Sequence, residues 1–101
     1  MPAIVRDGDP TTTGHACDDK TTVTGPTGAK AYVFSNGIAV EVKGNPTADH
    51  TILSGDQCVP HSAAINVGSP NVFVAGIEVA RVGDSTDGGA ITAGSPNVFV
   101  N

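Results

Sequence analysis

Apolar and polar residues alternate along this chain in runs too short for helices and repeatedly cut by glycine. Ile38-Ala39-Val40-Glu41-Val42 and Ile77-Glu78-Val79-Ala80-Arg81-Val82 follow the period of a half-buried strand. Each predicts one short strand. Gly-Ser-Pro-Asn-Val-Phe-Val, at 68–74 and again at 94–100, reads as a turn entering a strand, and the first copy runs on into a hairpin through Ala75-Gly76.

The elements are repeated. Ala64–Val74 returns as Ala90–Val100 with nine of eleven positions identical at an offset of 26. A weaker copy lies at an offset of 39, where Val33–Val40 falls on Val72–Val79 and Gly44-Asn45-Pro46-Thr47 falls on Gly83-Asp84-Ser85-Thr86. Gly8-Asp9-Pro10-Thr11 is the third member of this turn, 36 residues before the second. Gly supplies positive φ, Asp or Asn closes a side-chain turn, and Pro presets a bend. Three unequal copies of one β unit predict a pseudo-threefold domain. Ala31-Tyr32-Val33-Phe34 takes the third place beside the two Gly-Ser-Pro-Asn-Val-Phe-Val strands.

Composition supports an all-β chain. Its 101 residues include 13 Val, 6 Ile and 11 Thr against one Leu, one Met and two Glu, so straight-chain helix formers are nearly missing. Gly and Pro number 13 and 7, which fits one small, turn-rich domain. Arg6, Asp7 and Asp9 stand where a secretion signal needs apolar residues, and no apolar run approaches a membrane span. A net charge of −5 with five scattered Lys and Arg leaves no basic patch and disfavours nucleic acid as a partner. With so little aromatic bulk, the core calls for a metal, a disulfide or an oligomeric partner.

The chemistry-bearing residues fall at the turns. His15 follows Gly8 by seven residues and His50 follows Gly44 by six, while Gly89 takes the matching place in the third copy and offers no ligand. Cys58-Val59-Pro60-His61 adds a Cys-x-x-His pair after the second turn. Gathered at one end, His15, His50, Cys58 and His61 make a four-ligand set of three imidazoles and a thiolate, which zinc binds tetrahedrally. Cys17 could replace Cys58, stay free or pair with it in a disulfide. A chain without a secretion signal is expected to fold in a reducing cytoplasm, where disulfides are uncommon. An alternative is a metal-dependent hydrolase, with Asp9, Asp84 and Asp87 near a water-bearing metal. Against that, no His-Glu-x-x-His or Gly-x-Ser-x-Gly is present, so the expectation is a non-enzyme.

Thr13-Gly14-His15, Gly68–Gly76, Val79-Ala80-Arg81-Val82-Gly83-Asp84, Asp87-Gly88-Gly89-Ala90-Ile91 and the closing Gly94–Val100 together resemble the PAAR-repeat proteins. Glu78-Val79-Ala80-Arg81 stands where that family has its naming Pro-Ala-Ala-Arg, and the resemblance spans residues 2–101. It implies an all-β cone of short strands and hairpins, with a structural zinc, or iron, near the apex. It also implies a role capping and sharpening a trimeric β-helical spike, VgrG-like or of phage origin, one chain per trimer, to puncture a target envelope. By the same resemblance the protein waits in the bacterial cytoplasm and is secreted on the spike, alone or with effectors, or else sits in a phage tail baseplate, and it meets the target membrane only in passing. The single domain, 1–101, is expected to carry no effector extension. Many family members have Cys-Gly-Gly where this chain has Asp87-Gly88-Gly89, which leaves Cys58 as the expected sulfur ligand.

Overall fold

The computed structural model describes residues 1–24 and 33–101; Ala31 and Tyr32 of the third strand start lie outside the described residues. The described chain is all-β, built from ten short strands: β1 (Pro10–Thr12), β2 (Lys20–Thr22), β3 (Phe34–Ser35), β4 (Ile38–Ala39), β5 (His50–Ser54), β6 (Gln57–His61), β7 (Phe73–Val74), β8 (Ile77–Glu78), β9 (Ser85–Thr86) and β10 (Gly89–Ala90). Each consecutive pair closes an antiparallel hairpin.

The three repeats meet in a ring of single β-bridges. Ile4 pairs Arg81, Arg6 pairs Val40 and Val42 pairs Val79, so three extended segments form a closed triangle. At its centre Val5 N–H donates to the Ala80 carbonyl, Ala80 to Glu41 and Glu41 to Val5, at 3.1, 3.0 and 2.9 Å. A closed ring leaves these segments no free edge.

Each segment then turns through the repeated glycine motif. Asp9, Asn45 and Asp84 N–H groups donate back to Arg6, Val42 and Arg81, while Gly8, Gly44 and Gly83 sit at φ of 87°, 93° and 94°. Glycine at positive φ in the third position defines the type II turn and explains why the motif recurs. Beyond each turn lies one hairpin of a first set: β1–β2, β5–β6 and β9–β10. The chain returns through Val23, Ile65 and Ile91, whose N–H groups donate to Asp9, Asn45 and Asp84. On the other side of the ring, Val40, Val79 and Ile4 N–H groups donate to the Val33, Val72 and Val98 carbonyls of the second set. That set comprises β3–β4, β7–β8 and the two chain ends, joined where Ala3 pairs Phe99.

Two apolar clusters fill the column. One joins Ile4, Val40, Val42, Val74 and Val79, and the other joins Val5, Val23, Ile65, Ala80 and Ile91. Because both faces of the ring pack inward, Glu41 is fully buried in the place that Val5 and Ala80 take in the other repeats. Asn45 donates to its Oε2, and Oε1 has no hydrogen-bond partner among the described residues. The terminal Val-Phe-Val strands alternate instead. Val74 is buried and Val100 partly so, whereas Phe34, Phe73 and Phe99 stand 57%, 52% and 49% exposed at equivalent places in the three repeats.

Candidate metal centre

The three hairpins of the first set meet in one place, the first and third by their turns and the second by its inner end. Gly88 N–H donates to the Thr13 carbonyl at 3.0 Å, and a Cβ on Gly14 would lie 2.6 Å from the Gly88 carbonyl oxygen, so only glycine fits where the first and third tips cross. Ala48 N–H donates to Thr22 and joins the second hairpin to the first.

The histidines expected from the sequence are brought together here. His15 lies in the loop between β1 and β2. His50 opens β5, and His61 closes β6 directly opposite it in the ladder. Their Nε2 atoms lie 2.7, 2.8 and 3.0 Å from one oxygen, Oδ2 of Asp87, in the tight turn between β9 and β10. Ring centroids are 5.0–5.5 Å apart. The four ligand atoms lie within 4.8 Å of one another, and His50 is buried while the other three residues are partly so.

Cys58 is not among them. It forms a disulfide with Cys17, and the described residues hold no free cysteine, so the expected thiolate ligand is corrected to the Asp87 carboxylate. The physical reason is register: in β6 Cys58 pairs Leu53 toward the outer end of the hairpin, whereas His61 pairs His50 at its inner end. Both sulfurs belong to one bond, so Cys17→Ser and Cys58→Ser should destabilise the chain equally, by about 2–4 kcal/mol each. Denaturant unfolding of the two variants checks this; a clear inequality would contradict a shared bond.

The protonation pattern fits a cation. His50 Nδ1 lies 2.9 Å from the Ala48 carbonyl, which can only accept, so Nδ1 carries the proton. In the neutral ring Nε2 then presents a lone pair to a carboxylate oxygen. That contact is favourable only with a proton or a metal ion between them, and a backbone carbonyl fixing the remote nitrogen is the usual support of a metal-binding imidazole. Burial works against charging His50, but the Ala48 carbonyl and Asp87 outweigh it and raise its pKa. Burial likewise opposes charge on Asp87, and the His50 and His15 contacts outweigh it and lower that pKa. Protons therefore compete with metal for His50 from a higher pH than for an ordinary histidine, and acid should release a bound ion.

Metal–ligand bonds of about 2.0–2.1 Å set the edges of a tetrahedral site near ~3.3 Å. Opening the His–Asp distances by a few tenths of an ångström makes that room. The group can thus hold a metal ion through three nitrogens and one oxygen, a donor set compatible with zinc and with iron. The sequence signal for Asp87 is its place at the Cys-Gly-Gly position of the resembled PAAR-repeat pattern, where it reads equally as a hairpin-turn residue.

These features define a small all-β domain with pseudo-threefold internal symmetry and a candidate metal centre where its hairpins meet. No protein-family model matches the chain, and no curated protein matches it well enough to count as a relative.

Proposed function

We propose that this protein is the tip of a trimeric β-helical spike, of a type VI secretion system or a contractile phage tail, with a structural zinc joining its three hairpins. The observation that carries this reading is the threefold equivalence of exposed Phe34, Phe73 and Phe99 at the end of the ring opposite the metal ligands. A single chain has no use for three matched exposed aromatics in its own core, whereas a threefold partner offers each of them the same pocket. Val33, Ile38 and Val98 are also exposed around them and widen the apolar face. The metal then cross-links distant segments of the chain at the opposite end.

Chemistry at the metal is not required by this role; the ligands serve rigidity. Docking would lay the strand edges beside the Phe residues against the blunt end of the spike, extending its strands through backbone hydrogen bonds. Replacing Phe34, Phe73 and Phe99 together by Ser tests it. The expected result is a 1:3 complex of the native chain with a trimeric β-helical spike, and at least about 100-fold weaker binding by the variant, equivalent to about 2.7 kcal/mol. Melting temperature and metal content should stay near native values, since the rings are half exposed. Unchanged binding, or a complex with three tips per trimer, would contradict the proposal.

A further inference from the structure

Four residues form the candidate metal centre, but they are held with unequal firmness. His50 and His61 are cross-strand partners in a five-pair ladder, and Asp87 sits in a two-residue turn. His15 alone lies on a longer loop, Thr13–Asp19, between β1 and β2. Its noncovalent ties lie at the loop's two ends: Thr13 N–H donates to the Asp19 carbonyl, the Thr13 carbonyl accepts from Gly88 N–H, His15 N–H donates to Thr13 Oγ1 at 3.1 Å, Thr13 Oγ1 donates to the Asp18 carbonyl, and Asp18 accepts the Thr51 N–H at 3.3 Å. The covalent tie is the disulfide. It starts two residues after His15, ends three residues before His61, and joins positions 41 apart in sequence. Cys17 is half-buried and Cys58 is exposed, so a small dithiol can reach the bond.

We propose that the Cys17–Cys58 disulfide is a redox-controlled tether for His15, coupling metal occupancy where the hairpins meet to the thiol state of the chain. This rests on the reading of the four residues as a metal centre. Reduction by a dithiol transfers two electrons and two protons to the disulfide. The S–S bond breaks, two thiols form, and the dithiol leaves as its own disulfide. The loop then has to be ordered when metal binds, and the ordering entropy lowers affinity. Linkage is reciprocal, so bound metal protects the disulfide by the same factor. A 10–100-fold coupling corresponds to a midpoint about 30–60 mV lower with metal bound.

The test is competition for Zn²⁺ against a chromophoric chelator. Five forms are compared: the oxidised chain, the chain reduced by a phosphine under anaerobic conditions, Cys17→Ser/Cys58→Ser, and His15→Ala in each of the two redox states. The oxidised chain is expected to bind 10–100-fold more tightly than the reduced chain and the double variant. His15→Ala is expected to bind weakly and equally in both states, because the tether acts through the residue removed. A further loss on reducing His15→Ala would show general loosening and overturn the proposal. Equal affinity of the oxidised and reduced native chains would also overturn it, and so would tighter binding by the reduced chain, which makes the thiols ligands. Absence of Zn²⁺ binding in every form would overturn the metal-centre reading itself, whereas equal affinity of the two native forms, or a further loss on reducing His15→Ala, leaves that reading standing.

Discussion

Asp87→Asn is expected to weaken metal binding by more than about 100-fold, the loss of about 3 kcal/mol if the 10–16 kcal/mol of a structural zinc site is shared among four ligands. Asparagine tolerates the left-handed conformation that Asp87 adopts, at φ 54°, so the substitution removes the anionic oxygen without straining the turn. That oxygen is the one group facing all three histidines. Its loss leaves an incomplete set whose members sit on two hairpins only. Because metal binds the folded chain, the lost affinity becomes lost stability, and the melting temperature under saturating metal should fall by about 10–20 °C. With a chelator present, native chain and variant should melt within a few degrees of each other. Asp87→Cys, which substitutes a thiolate, should restore tight binding. Melting curves with and without metal check all of this, and a large difference that persists in chelator would assign Asp87 a role independent of metal.

The second large effect lies in the core. Burial pushes the Glu41 carboxyl up to about 8 from 4.5, against the Asn45 hydrogen bond and with help from the charges of Asp7 and Asp9. A raised acid holds its proton in the folded chain where the unfolded chain has released it. The stability associated with that proton is complete below about pH 4.5 and is lost as pH rises to about 8. Glu41→Gln is neutral throughout and keeps the shape, so it should match the native chain near pH 4.5 and exceed it by about 3–5 kcal/mol at pH 8 and above. Urea unfolding across that range in chelator, which removes the opposing effect of metal on the histidines, should show the two stabilities diverging as pH rises. Parallel curves would mean that Glu41 is charged in the folded state.

The turns, the repeats and the three histidines were legible in the sequence because each depends on local chemistry. Gly8, Gly44 and Gly83 announce positive φ, and His15 and His50 follow them at nearly constant distance. What the chain's order hides is what closure of the ring decides. Period-two alternation alone puts Glu41 on a solvent face, but three segments pairing edge to edge bury both faces. Phe34 lacks the Gly-Ser-Pro-Asn prefix of Phe73 and Phe99, so its equivalence rests on the ring hydrogen bonds from Val40, Val79 and Ile4. Cys58 looked like a ligand by its spacing to His61; the strand register carries it along β6 to the Cys17 loop, with the two Cα atoms 5.9 Å apart. Asp87 was masked by its own suitability for a tight turn.

X-ray absorption at the metal edge, on protein purified without added metal and quantified by elemental analysis, tests the central claim most directly. The account predicts about one zinc or iron per chain with a first shell of nitrogen and oxygen near 2.0–2.1 Å and imidazole scattering beyond it. A sulfur near 2.3 Å would contradict the assignment of Asp87 over Cys58, and no stoichiometric metal would contradict the centre as a whole.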